Sequence, residues 1–161
     1  PEMSRGLGDV YKRQDWEDGS PPYIFVSRGA EFMAEAEKQY SKETTSFLLK
    51  EKIADMIKYG KKAVANFPRR ERQTADEIRR TMLNMYRLSI TIEKKYYKKT
   101  TLQDLDIELD VLRHLIRLAQ DKDYYDQNMA PPLSFHKYEV WSGLLNEIGR
   151  IIGGYMKYAK Q

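Results

Sequence analysis

Between Leu102 and Ala119 the apolar residues Leu102, Leu105, Leu109, Leu112, Ile116 and Ala119 follow one another at alternating steps of three and four. That spacing places all six on one stripe of an α-helix, whereas a half-buried strand needs a period of two. A helix cannot bury its own stripe, so a chain carrying this pattern must pack helix against helix. The alternation recurs at Leu49, Ile53, Met56, Gly60, Ala63 and Phe67 and at Trp141, Leu145, Ile148, Ile152 and Tyr155, and Ala75, Ile78, Met82, Met85, Leu88 and Ile92 form a further helical stripe at steps of three and four with one repeated three. No strand pattern of comparable length competes.

The stripes predict helices at about 45–66, 69–98, 101–124 and 135–158. Phe67-Pro68 closes the first, because proline drives the residue before it out of helical geometry, and Pro68 can open the second, where its missing N–H costs nothing. Thr100-Thr101 offers a cap for the third helix, with Asp104 three residues beyond Thr101 as a variant capping box. Asp126 to Ser134, with Pro131-Pro132, reads as a loop. Short connections between the first three helices favour antiparallel neighbours, hence an all-α, up-down-up-down four-helix bundle.

A chain of 161 residues is the length of one domain, and 41% hydrophobic with 32% charged residues suits narrow apolar seams with solvated outer faces. No window approaches the roughly 18 apolar residues of a membrane span, and no signal peptide is evident, so a cytoplasmic protein is expected. There is no cysteine, and only His114 and His136 offer imidazole. Metal and thiolate chemistry are therefore not expected, and no cofactor is implied.

Residues 1–32 stand apart. They lack a sustained period and are punctuated by Gly6, Gly8, Gly19, Pro21, Pro22 and Gly29, so they read as disordered or non-native, with the bundle in 33–161. Pro1 to Gln14 resembles the translation of a sequencing adaptor. Arg28-Gly29-Ala30 can be encoded by a purine-rich ribosome-binding sequence, which makes Met33 a candidate start; the alternative is a native apolar arm at Tyr23 to Val26.

Charge separates along the same line. The first 32 residues hold four bases against six acids, and the remainder holds 24 bases against 18 acids, a net +6 where the whole chain has +4. The helical part is the basic part, a balance shared by phosphate binders and by many ordinary proteins. Arg69, Arg70 and Arg72 open the second helix, Arg79, Arg80 and Arg87 continue it, and Lys94, Lys95, Lys98 and Lys99 end it around Tyr96 and Tyr97. Such runs are usually solvated faces, but bases interleaved with aromatics also hold single-stranded nucleic acid by charge and stacking. On the third helix Asp106, Asp110, Arg113 and Arg117 share a polar stripe. Asp110 can satisfy Arg113 at i,i+3, or the two guanidinium forks can grip a phosphate or a carboxylate.

Two features point to neighbours. Ile107, Val111, Leu115 and Leu118 form a second apolar stripe far round the third helix from its seam, and the choice lies between a wide core face and a subunit interface. On the fourth helix Ser142, Asn146, Gly149 and Gly153 recur at steps of four, three and four. Mid-helix glycine costs about 0.5–1 kcal/mol relative to alanine, which implies close approach of another backbone, within the bundle or between subunits. Catalysis is not expected: the acids are scattered beside bases, no nucleophile and base are paired by pattern, and no glycine-rich phosphate loop is present.

Phe67-Pro68-Arg69-Arg70-Glu71-Arg72, then LDIELDVLRHLIRL over 105–118 and NEIGRIIGGYMK over 146–157, resemble the accessory variability determinant (Avd) proteins of diversity-generating retroelements in order and spacing. The resemblance covers roughly residues 47–158. It implies a non-catalytic four-helix protomer that assembles as a basic, barrel-like homopentamer and binds the retroelement reverse transcriptase, template-repeat RNA and cDNA in mutagenic retrohoming. It also implies a prokaryotic or phage setting. The motif arginines Arg113, Arg117 and Arg150 take a place on the basic interaction surface by the resemblance; the bases of the second helix are assigned from charge alone. The 126–134 loop is longer than the family's usual link. A related four-helix family encoded in 23S rRNA intervening sequences shares the Phe-Pro-and-base signature, but Ser89-Ile90-Thr91-Ile92-Glu93 stands where its Asn-Ile-Ala-Glu-Gly motif would be. A structural homo-oligomer without nucleic-acid binding is the other alternative.

Overall fold

The computed structural model describes residues 23–125 and 128–159. Among the described residues every regular element is helical: α1 Tyr23–Ala65, a 3-10 turn Arg69–Glu71, α2 Arg72–Lys94, α3 Lys99–Gln120 and α4 Phe135–Met156. The chain divides into two units, Pro1–Tyr40 and Ser41–Gln161.

In the first unit the residues from Tyr23 onward are helical. This differs from the expected start near 45, and it removes Tyr23 to Phe32 from the segment expected to be disordered; residues 1–22 lie outside the described residues. The physical reason is propensity without amphipathicity. No proline follows Pro22 until Pro68, and Ala30, Glu31, Met33, Ala34, Glu35 and Ala36 include strong helix formers that are all exposed. A period search sees only buried stripes, so it passes over such a segment.

The second unit holds the core. Leu49, Ile53 and Met56 of α1, Ile78, Met82, Met85 and Ile92 of α2, the whole Leu102 to Ala119 stripe of α3, and Trp141, Leu145, Ile148, Ile152 and Tyr155 of α4 are buried together. Phe67 and Leu88 lie half-buried at its margin. Each fully buried side chain of this size contributes about 1.5–3 kcal/mol, which makes this one core the main source of stability. At Gly60 side chains of α2 and α4 crowd α1: a Cβ there would stand 2.5 Å from Met82 Sδ and 2.6 Å from Trp141 Cζ2.

Contacts run in opposite directions along α1 and α2 and along α1 and α4. Lys50 of α1 pairs with Glu93 near the end of α2 at 2.8 Å, while Gly60 further along α1 meets Met82 earlier in α2. Lys52 pairs with Glu147 at 2.8 Å, and the Tyr59 hydroxyl reaches the Lys137 carbonyl at 3.4 Å, so α1 and α4 are antiparallel as well. Lys50 is held with its pKa above the ordinary lysine value and Glu93 with its pKa below the ordinary carboxylate value, chiefly by their mutual hydrogen bond.

The helix ends depart from expectation in instructive ways. α2 stops at Lys94 rather than near 98, because Lys95 turns extended at φ −80°, ψ 144° while its N–H still closes onto the Thr91 carbonyl at 2.9 Å. α3 begins at Lys99 without a side-chain cap. Thr101, expected to cap it, is buried, and its hydroxyl accepts from Lys95 Nζ at 3.2 Å. The fourth helix is capped instead by Ser134, whose Oγ accepts from the Lys137 N–H at 3.3 Å. After α3 the chain returns through Leu133, whose N–H donates to the Ala119 carbonyl at 3.1 Å and whose side chain is buried.

Candidate functional site

Four residues of α3 and three of α4 line an open groove of about 280 Å³: Asp110, Arg113, His114 and Arg117 face Tyr138, Ser142 and Asn146. Helical geometry builds both walls. Asp110, Arg113 and Arg117 stand one turn apart on the polar stripe beside the α3 seam, and Tyr138, Ser142 and Asn146 stand at i, i+4 and i+8 beside the α4 seam.

Asp110, the acid at i,i+3 spacing from Arg113, forms no ion pair with it. His114 Nδ1 lies 2.7 Å from the Asp110 carbonyl oxygen and 3.7 Å from the Asp110 carboxylate. A carbonyl only accepts, so the Nδ1 that reaches it carries the proton. Neither Arg113 nor Arg117 has an ion pair among the described residues. Two like charges four residues apart on a helix repel, so the pair favours an anion between or beside them.

Gly149 gives Arg113 its seat. A Cβ at 149 would stand 2.6 Å from Arg113 Nη2 and 3.4 Å from Leu109 Cδ2. The close approach inferred from this glycine is therefore made by a guanidinium rather than by another backbone. Gly153 and Gly154 have nothing within 4 Å of a built Cβ and lie open on the surface. Of the expected interface stripe, Ile107, Val111 and Leu118 are exposed at 62%, 42% and 41%, so no wide core face covers them, while Leu115 is half-buried against the core.

The expected basic residues do not gather in one place. Arg72 and Arg79 share Asp76 at 3.6 and 2.9 Å, and Arg80 pairs with Glu77 at 2.7 Å, which are the helix-surface pairs that neutralise such runs. Arg69, Arg70, Arg87, Lys94 and Arg150 are exposed with no ion pair among the described residues. Lys95 is tied to Thr101, and Lys98 Nζ lies 6.0 Å from the Tyr155 ring centroid. Tyr138 escaped the sequence reading, although its place one turn before Ser142 on the small-residue stripe of α4 was the signal that could have found it.

Among the described residues there is no group of three His, Cys, Asp or Glu side chains placed to hold a metal, and no helix is long and apolar enough to cross a membrane. Residues 47–159 match the family model described as bAvd-like. No curated protein matches the chain.

Proposed function

The chain belongs to the bAvd-like family of Avd-type accessory proteins, and we propose from that premise that it binds the reverse transcriptase of a diversity-generating retroelement together with template-repeat RNA and cDNA, supporting mutagenic retrohoming without catalysis of its own. The observation that carries this reading is the α3–α4 groove, where Arg113 and Arg117 stand without an ion pair among the described residues. Guanidinium forks left in this state suit phosphate oxygens or a carboxylate-bearing protein surface, because both accept paired hydrogen bonds.

Self-association belongs to the same reading. The exposed Ile107, Val111 and Leu118 are an apolar face that one protomer leaves in water, and the resemblance implies five subunits around a barrel. A homo-oligomer presenting one groove per subunit would multiply a modest phosphate affinity.

Two assays test the reading. A tagged chain co-expressed with the reverse transcriptase of a diversity-generating retroelement should retain that polymerase through purification. Its affinity for RNA should fall steeply with salt, with a log–log slope of about −0.7 per neutralised phosphate on a single strand. Failure to retain the polymerase together with salt-independent or absent RNA binding would leave only a structural homo-oligomer.

A further inference from the structure

Two surface stripes of the bundle carry a spacing that solvent does not require. On α3, Thr100, Asp104, Ile107, Val111, His114 and Leu118 recur at steps of four, three, four, three and four, and all six are exposed. On α2, Arg80, Leu83, Arg87, Ile90 and Lys94 recur at steps of three, four, three and four, and all five are exposed as well. Steps that average about 3.5 residues keep one line of side chains facing a neighbouring helix, which is the seam of a coiled coil. Neither line is buried within its own chain: Ile107 is 62% exposed and Leu83 60%.

The two seams differ in charge. From Thr100 to Leu112, α3 carries Asp104, Asp106, Glu108 and Asp110 and no base. From Arg80 to Lys94, α2 carries three bases, and its one acid, Glu93, is engaged by Lys50 at 2.8 Å. Arg80 is held by Glu77 at 2.7 Å. Arg87, midway between Leu83 and Ile90, has no ion pair among the described residues, and neither have Asp104 and Asp106.

Charge decides what covers each seam. A twofold α2–α2 contact centred on Leu83 and Ile90 sets Arg87 against Arg87, and an α3–α3 contact centred on Ile107 and Val111 sets a run of acids against the same run. Like charges brought together in this way are unfavourable. α2 against α3 instead sets apolar against apolar and base against acid. We infer that the α2 seam of one copy of this chain docks on the α3 seam of the next, a head-to-tail contact rather than a twofold one. Each copy presents both seams, so the contact repeats from copy to copy and closes where its rotation returns the last copy to the first. The inference rests on the self-association read above from the exposed face of α3, and it adds the surface that covers that face.

The test uses full-length Leu83→Glu and Ile107→Glu chains, each alone and mixed in equal amounts, sedimented beside wild type with helical circular dichroism as the check on folding. Both residues lie in water in the single chain, so the protomer should stay folded, while a carboxylate buried in the contact disrupts it. Wild type is expected to sediment as an assembly of more than two copies. Each variant alone should fall to the mass of one chain, since every contact then lacks one of its two seams. The mixture should double that mass and stop there: Ile107→Glu still offers an intact α2 seam, Leu83→Glu an intact α3 seam, and the two seams left over both carry glutamate. A mixture that stays at single-chain mass, or either variant keeping the wild-type mass, would overturn the head-to-tail pairing while leaving self-association to another surface. Wild type at single-chain mass would sink self-association itself and the pairing with it, so the two failures are told apart.

Discussion

Arg113 Nη2 occupies the space where a side chain at Gly149 would begin, 2.6 Å from the position of its Cβ. The relationship links a glycine in the middle of α4 to a charge on α3, and it explains why a residue that weakens a helix stands where it does.

Gly149→Ala separates stability from binding. The displaced group is the far end of a flexible arginine, and Leu109 at 3.4 Å is in tolerable contact, so the fold can accept the methyl group. Higher helix propensity should raise stability by up to about 1 kcal/mol, read by denaturant unfolding. The same change should turn Arg113 out of the groove and weaken RNA or polymerase binding. A variant that is more stable and binds as wild type would disconnect Arg113 from function.

Gly60→Ala should do the reverse to stability. Here the added carbon meets Met82 Sδ at 2.5 Å and the fully buried Trp141 ring at 2.6 Å, and the ring cannot swing aside as an arginine can. Overpacking of this kind costs about 1–3 kcal/mol, more than propensity returns, and thermal unfolding should begin at a lower temperature.

Much of this was legible in the sequence, and the parts that were not share a cause. The stripe from Leu102 to Ala119 is buried in full because periodicity reports burial directly. Gly149 and Thr101 were visible as special residues but not in their roles, since each is used by a side chain from a different helix or turn. The start of α1 at Tyr23 left no periodic trace because the described residues of that stretch bury nothing. Asp110 stands at helical spacing from both Arg113 and His114, yet it forms no ion pair with Arg113. Spacing ranks neighbours poorly; geometry decides between them.

Tyr125 gives the fold an alkaline limit. It is buried with its hydroxyl 3.4 Å from Glu71, and burial, reinforced by that carboxylate, pushes its pKa from 10.0 up to about 12. A group whose folded pKa is raised stabilises the fold below the unfolded value and loses that contribution as pH rises through the folded one. Stability should therefore decline between pH 10.0 and about 12. Tyr125→Phe should flatten that decline in unfolding experiments, and an unchanged decline would place its origin elsewhere.

Ile107→Glu with Val111→Glu tests the exposed face of α3. Both side chains already lie in water, so the monomer's helical signal should persist. If the face joins subunits, each buried carboxylate costs several kcal/mol unless paired, and sedimentation should show the assembly reduced to single chains. Retention of the wild-type mass would move the interface to another surface.

The central claim is that the unpartnered arginines of the α3–α4 groove are what the protein binds with. The most direct measurement is RNA affinity across a salt series for wild type, Arg113→Ala/Arg117→Ala, and a charge-matched Lys58→Ala/Lys61→Ala control on α1. Loss of the arginines should weaken binding and reduce the salt slope by about 1 to 2, while the lysine control stays near wild type and all three keep their helical signal. Wild-type affinity and slope in the folded arginine variant would contradict it.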